Sequence, residues 1–412
     1  MRGHIPYCHI GEMLRAQKRP HISFHTPGHK RAGADITELP YSDNLLSPSG
    51  VIARAEEDVA RIAGAERAFL LTDGSTSGVH AMLLALREAG ITRVAYPAFS
   101  HKSVKDGCYL LGLEGVEIAS SRTPYPRQPS LEAIKAALEG AEALLLTSPD
   151  YYGNFPPLKE AARLCREQNK PLLLDGAHGA HLHGTEDYAG NFARMWVDGA
   201  HKSLPAMTQG AAVFAGDKFW AEKLASSVVR CRTTSPSYPI LASVEYAYKY
   251  PRNFPLEKAA NALKREFRAE DNADWTKLLV PFGTECARAE AFLEARGVFP
   301  EFNDGNFLMF YLSPCTGLRE LKRLERLLKK LPRGEVRIPA PETGEAGART
   351  AWVPLDKAEG RLCAAECGLF PPCVPLILKG ERISRAAIER LAAANSTFGL
   401  REGNILVFEE DA

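Results

Sequence analysis

The alternation of short apolar runs with helical segments constrains the fold of this chain more than any other feature of its sequence. Continuous runs such as Leu144–Leu146 and Leu172–Leu174 predict strands that are buried on both faces. Strands that alternate with helices predict βαβ units and a mainly parallel sheet, so the fold class is α/β. The apolar runs are RVAYPAFS, GVEIASS, ALLLTSPDYYG, PLLLDGAHG, MWVDGAHKS and GAAVFAG, and SLEAIKAALEG and LKEAARLCREQNK are two of the helical segments.

The pattern divides the chain into three parts. Residues 1–50 predict an N-terminal arm with one short helix at Ile10–Gln17, and residues 51–255 predict a large α/β domain. The turn-rich sequence KYPRNFP ends the regular pattern. A long helical stretch over Leu256–Arg296 and the shorter strands NFLMFYL, GEVRIP and NILVFEE predict a smaller α+β domain over residues 256–412.

Charge and cysteine content argue against several classes of protein. Lys and Arg number 51 and Asp and Glu 50, and the resulting net charge of +1 gives no sign of a nucleic-acid partner. No apolar run approaches the ~20 residues that span a bilayer, and the N-terminus lacks the apolar segment of a signal peptide. The nine cysteines are scattered without a CxxC pair, which favours a cytoplasmic chain with reduced thiols and argues against zinc.

Polar residues follow the apolar runs at the positions where an α/β sheet binds its ligands. Gly74–Gly78 (GSTSG) stands between a predicted strand and a predicted helix, so Ser75, Thr76 and Ser77 are candidates for binding a phosphate at the helix N-terminus. The alternative is an ordinary helix cap, because Ser and Thr are favoured there in any case.

Asp175 follows a predicted buried strand, where a carboxylate is costly unless it is paired. It could be a helix cap, a metal ligand with the nearby His178, His181 and His183, or the partner of a cationic ring. His101 follows another strand and is either a hydrogen-bonded loop residue or a ring that stacks on a ligand.

Lys202 follows the next predicted strand, 27 residues after Asp175, a separation that predicts one strand–helix–strand step. An isolated lysine at a strand end is usually a surface residue. Together with a phosphate loop and a carboxylate, however, Lys202 points to pyridoxal 5′-phosphate. A lysine amine forms a Schiff base with that cofactor, and a carboxylate pairs with its ring nitrogen.

These motifs also resemble, in the same order along the chain, those of the bacterial Orn/Lys/Arg decarboxylases, which are pyridoxal-phosphate enzymes of the aspartate-aminotransferase fold (fold type I). The similarity covers essentially the whole chain. The matching segments are SFHTPGHK (23–30), GSTSGVHAM (74–82), SHKS (100–103), TSPDYYG (147–153), DGAHGAH (175–181), HKSLPAMTQ (201–209) and TTSPSY (233–238).

The resemblance implies a role for each matching residue. Lys202 would carry the cofactor, Asp175 would pair with its ring nitrogen and His101 would stack on its ring. Thr76, Ser77 and His201 would contact the phosphate, and His178 would lie beside the ring oxygen. It further implies decarboxylation of lysine, arginine or ornithine, a place in polyamine metabolism, and a homodimer whose interface holds the active site, with HTPGHK and TTSPSY closing the neighbouring subunit's site.

The sequence departs from the family pattern at two places that bear on substrate and cofactor. Gly199 stands where family members commonly have Ser, and Pro372–Pro375 with Lys379–Glu381 replaces a Pro-Gly-Ile-Pro and Pro-Gly-Glu block on the substrate side. Glu381 and Asp43 are candidates for binding a cationic side chain.

Two alternatives to a decarboxylase remain. One is an aminotransferase or other lyase, with Arg337 or Arg349 holding the substrate carboxylate, and the other is a non-catalytic cofactor-binding homologue. The chain also lacks the N-terminal wing of the large inducible enzymes, so their decameric assembly is not expected.

Overall fold

A seven-stranded sheet organises the N-terminal part of the chain. The computed structural model describes residues 6–16, 22, 24–30, 35–121, 125–269, 272–336, 342–344, 349–369, 375–394 and 396–409. The strands are β1 (Arg67–Leu71), β2 (Arg93–Pro97), β3 (Glu114–Ile118), β4 (Ala143–Thr147), β5 (Leu172–Gly176), β6 (Met195–Asp198) and β7 (Ala211–Ala215), in the order β1-β7-β6-β5-β4-β2-β3. The pairs from β3 to β6 are parallel, and β7 runs antiparallel to both β1 and β6. The predicted mainly parallel sheet is therefore confirmed.

Helices cover both faces of this sheet. They are α1 (His9–Ala16), α2 (Val51–Ala63), α3 (Ser75–Glu88), α4 (Lys102–Leu111), α5 (Leu131–Gly140), α6 (Leu158–Glu167), α7 (Ala200–Ser203), α8 (Lys218–Cys231) and α9 (Tyr238–Tyr248). Leu144 and Leu146 of β4 pack in the apolar cluster that includes α2, α5, α6 and α9, whereas Leu145 packs with α3, α4 and α8. Because successive strand residues point to opposite faces, an unbroken apolar run is what a sheet covered on both sides requires.

The chain after residue 254 forms further small sheets, each antiparallel. The first unit contains α10 (Phe254–Glu266), β8 (Lys277–Pro281), α11 (Cys286–Glu294), β9 (Phe302–Asn303), β10 (Phe307–Tyr311) and α12 (Leu318–Leu328), with an apolar core of its own. The second contains β11 (Thr350–Pro354), β12 (Cys367–Leu369), β13 (Pro375–Ile377), α13 (Arg385–Ala393), β14 (Thr397–Phe398), β15 (Leu400–Arg401) and β16 (Asn404–Phe408), also with a separate core. The α+β character expected of this part is thus divided between two units.

Two predictions about helices are wrong. The long helix expected over Leu256–Arg296 is interrupted by β8, because Leu278–Val280 is a continuous apolar run and Pro281 cannot continue a helix. No α-helix joins β5 to β6; two short 3₁₀ turns do so instead. That connection is rich in Gly and His and lacks the apolar spacing of an amphipathic helix.

Two other predicted segments differ from the structure or lie partly outside the described residues. The arm helix spans His9–Ala16, and Gln17 lies outside the described residues. The first three residues of the predicted GEVRIP strand, 334–336, are not in a strand, and residues 337–339 lie outside the described residues. In the part of the chain that the structure describes, no helix is long and apolar enough to cross a membrane.

Asp43 caps the start of α2 and provides a stability prediction. Its carboxylate accepts hydrogen bonds from the backbone N–H groups of Asn44, Ser49, Gly50 and Ile52 at 2.8–2.9 Å. Partial burial raises the pKa of Asp43, but the N–H groups outweigh it and hold the pKa below its ordinary value. We expect Asp43→Ala to lower the free energy of unfolding by about 2 kcal/mol at pH 7, the upper end for a lost helix cap.

The stability that Asp43 contributes should decrease as the pH falls. Because the folded-state pKa is lowered, the stabilisation is complete above the unfolded-state pKa of about 4 and disappears as the pH falls through the folded-state value. Urea unfolding of wild type, Asp43→Ala and Asp43→Asn at pH 7 and pH 3 checks this, since Asn tolerates the left-handed backbone at this position (φ 70°). Equal stabilities of wild type and Asp43→Ala at pH 7 would contradict the capping role.

Candidate active site

A cavity opens beyond the carboxyl ends of β2, β4 and β5 and contains about 650 Å³ of empty space, including its open mouth. Five of the sequence-predicted site residues line it: Ser75, His101, Asp175, His178 and Lys202. The other lining residues are Pro97, Phe99, Ser103, Pro126, Arg127, Gln128, Thr147, Asp150, Tyr151, Tyr152 and Ala177.

Lys202 lies in α7, directly after β6, and its amine points to a histidine. Lys202 Nζ is 3.1 Å from His178 Nε2, and His178 Nδ1 is 3.2 Å from the hydroxyl of Tyr311. Burial is the main cause that lowers the pKa of His178 well below its ordinary value, and a positive charge on Lys202 or on Lys277 lowers it further. His178 is therefore neutral at neutral pH.

Asp175 lies near the end of β5, with 3% of its surface exposed. One carboxylate oxygen accepts a hydrogen bond from the backbone N–H of Ala177 at 3.1 Å. Burial lowers the pKa of His101, Asp175 opposes this shift and Lys202 reinforces it. Asp175 and Lys202 therefore both act on a ring that lines the same cavity.

His101 is fixed at the N-terminus of α4. Its Nδ1 accepts a hydrogen bond from the backbone N–H of Ser103 at 3.1 Å and lies 2.8 Å from the Ser103 hydroxyl. These contacts anchor one edge of the ring, and the lowered pKa favours a neutral imidazole. The first Ser of the SHKS motif, Ser100, has a buried hydroxyl with no hydrogen-bond partner among the described residues.

The predicted phosphate loop is only partly directed at the cavity. Ser75 begins α3 and lines the cavity, after a glycine at φ 84°. Thr76 is exposed, and the Ser77 hydroxyl is bonded to Asp73 (2.9 Å) and to the Gly74 carbonyl (3.0 Å). His201 does not line the cavity either, because its Nδ1 lies 3.0 Å from the carbonyl oxygen of Gly210. Phosphate contacts by these last three residues stay predictions.

The cavity fits pyridoxal phosphate by its own chemistry. An amine, a buried carboxylate and a histidine ring share it, and the N-terminus of the 14-residue helix α3 reaches it at Ser75. The buried hydroxyl of Thr147, which also belongs to the lining, has no partner among the described residues and can serve a bound polar group.

The presence of glycine rather than serine at position 199 has a structural reason. A Cβ atom at this position would lie 2.6 Å from the carbonyl oxygen of Ala177, closer than real Cβ contacts. The backbone between β6 and α7 therefore approaches the segment after Asp175 too closely for the serine that the family commonly carries here. The phosphate hydroxyl expected from that serine is absent in this chain.

The three histidines after Asp175 face different partners. His178 meets Lys202, His181 Nε2 lies 3.0 Å from Asp274, and His183 Nδ1 lies 2.8 Å from the carbonyl oxygen of Ala180. They do not converge on one point, so the metal alternative for Asp175 finds no support in this geometry.

Four candidates for substrate binding lie elsewhere or outside the described residues. Asp43 is committed to the N-terminus of α2, and a Glu381 carboxylate oxygen accepts from the backbone N–H of Leu378 at 2.7 Å; neither lines the cavity. Arg349 is exposed, and Arg337 lies outside the described residues. Residues 372–374 of the altered C-terminal block also lie outside them.

Sequence reasoning missed a buried group behind His178. Tyr311 ends β10, Lys277 begins β8, and Asp274 precedes it; Lys277 and Asp274 have no exposed side-chain surface. The available signal was a lysine placed directly before the apolar run Leu278–Val280, where a surface residue is not expected.

A mainly parallel sheet covered on both faces, with a lysine, a carboxylate and a helix N-terminus at one cavity, defines a pyridoxal-phosphate enzyme of the aspartate-aminotransferase fold. The model of the family described as Orn/Lys/Arg decarboxylase, major domain, matches residues 4–278. The chain belongs to the Orn/Lys/Arg decarboxylase family, its cofactor is pyridoxal 5′-phosphate, and it is an amino-acid carboxy-lyase.

Individual relatives are distant but cover nearly the whole chain. The uncharacterized protein YaaO of Bacillus subtilis (strain 168) is 28% identical over 97% of this chain and 96% of its own length. An arginine decarboxylase of Halalkalibacterium halodurans is 24% identical over 93% of this chain and 92% of its own. The structure of the constitutive lysine decarboxylase of E. coli superposes with a TM-score of 0.72 at 17% identity, covering 97% of this chain and 82% of that one.

Proposed function

We propose that this enzyme decarboxylates a basic amino acid, either lysine, arginine or ornithine, to the corresponding amine and CO₂. The observation that carries the proposal is the meeting of Lys202 and Asp175 at one cavity in a member of this family. Arginine and lysine decarboxylases among the similar proteins support a basic substrate.

The residues of the cavity divide the work of holding the cofactor. Lys202 would hold it covalently, Asp175 would keep a proton on its ring nitrogen, Ser75 would contact its phosphate and His101 would cover one face of its ring. When bound, pyridoxal phosphate supplies an electron-accepting ring for the electron pair left behind by CO₂. Lys202 Nζ, once released, would return a proton to the substrate Cα.

The cavity wall offers one group for the cationic side chain of the substrate. Asp150 and Asp175 are the two carboxylates among the described lining residues. Asp150 accepts hydrogen bonds from the backbone N–H (2.9 Å) and the side-chain amide (3.0 Å) of Asn154. Burial raises the pKa of Asp150 to about 6 despite these bonds, so the group is ionised at pH 7 and gains from a cation beside it.

Asp150→Asn tests this assignment. The amide keeps an oxygen for the Asn154 N–H but loses the charge, so we expect KM for the basic substrate to rise by about 10–100-fold, the effect of losing one close charge pair. The wild-type KM should rise in the same way as the pH falls below about 6. Asp187→Asn, at an exposed carboxylate, is the matched control. An unchanged KM in Asp150→Asn would exclude Asp150 as the binding group.

An assay for CO₂ release tests the proposed reaction itself. The protein saturated with pyridoxal phosphate is given lysine, arginine and ornithine separately, and release from one of them is expected. If none of the three releases CO₂, the proposal fails. Accumulation of pyridoxamine phosphate instead of CO₂ would identify an aminotransferase.

We also propose that the enzyme acts as a homodimer. The arm carries Ile22 and Phe24, whose surfaces are 87% and 92% exposed, and two large apolar side chains this close in sequence offer an apolar surface for a second subunit. Light scattering after size exclusion should give twice the chain mass of 45.1 kDa. A cytoplasmic location stays a prediction from the cysteine content.

A further inference from the structure

A buried ion pair lies directly behind the candidate active site. Lys277 Nζ is 2.8 Å from a carboxylate oxygen of Asp274, and the other oxygen of Asp274 lies 3.0 Å from His181 Nε2. The Lys277 amine also lies 2.9 Å from the Tyr311 hydroxyl oxygen, 3.0 Å from the Thr276 hydroxyl oxygen and 3.2 Å from the carbonyl oxygen of His178. Burial lowers the pKa of Lys277, and the Asp274 carboxylate opposes that shift. Because neutralising one partner would leave the other charge buried and unpaired, the pair is an ammonium and a carboxylate.

The chemistry of the donors fixes the direction of the hydrogen bonds. An ammonium group only donates, so Tyr311 Oη accepts from Lys277. The hydroxyl hydrogen of Tyr311 is then directed at its other partner, His178 Nδ1, 3.2 Å away. Because Nδ1 accepts, a neutral His178 carries its proton on Nε2.

This tautomer determines which form of Lys202 fits beside it. With the proton on Nε2, His178 donates to Lys202 Nζ at 3.1 Å, and the nitrogen of Lys202 must be the acceptor. Only the uncharged amine has a lone pair to accept with. The opposite arrangement, with Lys202 donating as an ammonium, would leave the Tyr311 hydrogen without an acceptor among the described residues.

We propose that Tyr311, held by Lys277 and Asp274, is a positioning residue that fixes His178 in its Nε2–H tautomer and thereby stabilises the uncharged, nucleophilic amine of Lys202. The unit that contains β8 and β10 thus helps to prepare the lysine of the large domain for the cofactor. This inference rests on the assignment of Lys202 as the cofactor lysine.

Other charged groups around Lys202 also influence the charge state of its amine, and they do so in opposite directions. The titratable and charged groups that line its cavity are His101, Arg127, Asp150, Asp175 and His178, and Lys277 and Asp274 lie behind His178. Asp175 favours the ammonium form, whereas Lys277 disfavours it. A hydrogen bond donated to the amine adds to the effect of Lys277, so removing that bond should make Lys202 reactive only at higher pH.

Nitrogen NMR of the cofactor-free protein tests the tautomer without cofactor or substrate. Histidines are labelled with ¹⁵N, and the signal of His178 is identified by its loss in His178→Gln. We expect the Nε2–H form in wild type at pH 7.5 and a mixed or Nδ1–H form in Tyr311→Phe, which keeps the ring. Tyr151→Phe is the control, because that hydroxyl bonds Glu301 (2.7 Å) while its ring lies against His178, and the tautomer should not change.

The rate at which cofactor-free protein couples to pyridoxal phosphate tests the consequence. The lone pair of the amine adds to the aldehyde carbon and one water leaves, so only uncharged Lys202 reacts. We expect coupling of Tyr311→Phe at pH 7 to be about tenfold slower, with the pH profile shifted upward by about one unit, since one pH unit corresponds to a tenfold change in the uncharged fraction. Borohydride trapping and peptide mass identify the modified lysine.

Either measurement can overturn the proposal. A wild-type His178 with its proton on Nδ1 would refute it before any variant is made, and so would a Tyr311→Phe protein with an unchanged tautomer and pH profile. Trapping at another lysine would refute the role of Lys202 as well. A protein that shows the expected tautomer and profile but releases no CO₂ would leave this inference intact and refute the proposed substrate class.

Discussion

Replacement of Lys202 by Ala is expected to abolish decarboxylation, with kcat reduced by about 10⁴-fold or more, as for other enzymes that lose their covalent catalyst. Without the amine, the described lining of the cavity contains no other lysine that could hold the cofactor covalently. The measurements are CO₂ release and the visible absorbance of the protein mixed with pyridoxal phosphate, and both should be lost.

Two further variants show whether the activity lost in Lys202→Ala is lost because the reactive amine is missing. Lys202→Arg keeps a positive charge and a long side chain, but its guanidinium stays protonated, so it should be as inactive as Lys202→Ala. Lys159→Ala, at an exposed lysine, should behave like wild type. A visible band that survives in Lys202→Ala with bound cofactor would show that another lysine is used.

Asp175→Asn is expected to lower kcat by about 10³-fold, within the range seen when one charge-stabilising group is removed from an active site. The amide still accepts the hydrogen bond from Ala177 N–H, so the backbone after β5 should keep its shape. What disappears is the negative charge that, in the proposed role of Asp175, would keep a proton on the cofactor ring nitrogen. Steady-state kinetics and the affinity for pyridoxal phosphate are the two measurements.

A modified cofactor shows whether Asp175→Asn loses activity because the negative charge is missing or because the shape of the site has changed. If the ring nitrogen is methylated, it carries a permanent positive charge and no longer needs the carboxylate. We therefore expect such a cofactor to restore much of the activity of Asp175→Asn. Activity of the variant within tenfold of wild type with the ordinary cofactor would mean that Asp175 does not serve the ring nitrogen.

The sheet could be predicted because the apolar pattern that specifies each strand lies within the residues of that strand. Leu144–Leu146 and Leu172–Leu174 are buried on both faces of the sheet, as their unbroken apolar pattern predicts. Lys202, Asp175 and His101 could be singled out because each lies at the end of a strand or shortly after it, and so belongs to the ligand-binding edge. The long helix at 256–296 was wrong because helical spacing in α10 and α11 was extended across an apolar run that forms β8 instead.

Substrate binding could not be predicted in the same way. Asp43 and Glu381 were chosen by charge and position, yet their carboxylates accept backbone N–H groups outside the cavity. Asp150 lines the cavity because the loop after β4 turns it there, and its place in the TSPDYYG motif did not by itself assign it a role in substrate binding.

The sequence by itself determined the α/β architecture, the cofactor and the family, because these depend on residue patterns along the strands and on motifs that follow them directly. Only the tertiary structure decided which groups meet Lys202. His178 is 24 residues away in the chain, and Tyr311 is 133 residues from His178. Contacts over such separations are set by how β8 and β10 pack against the large domain, and no local pattern records that packing.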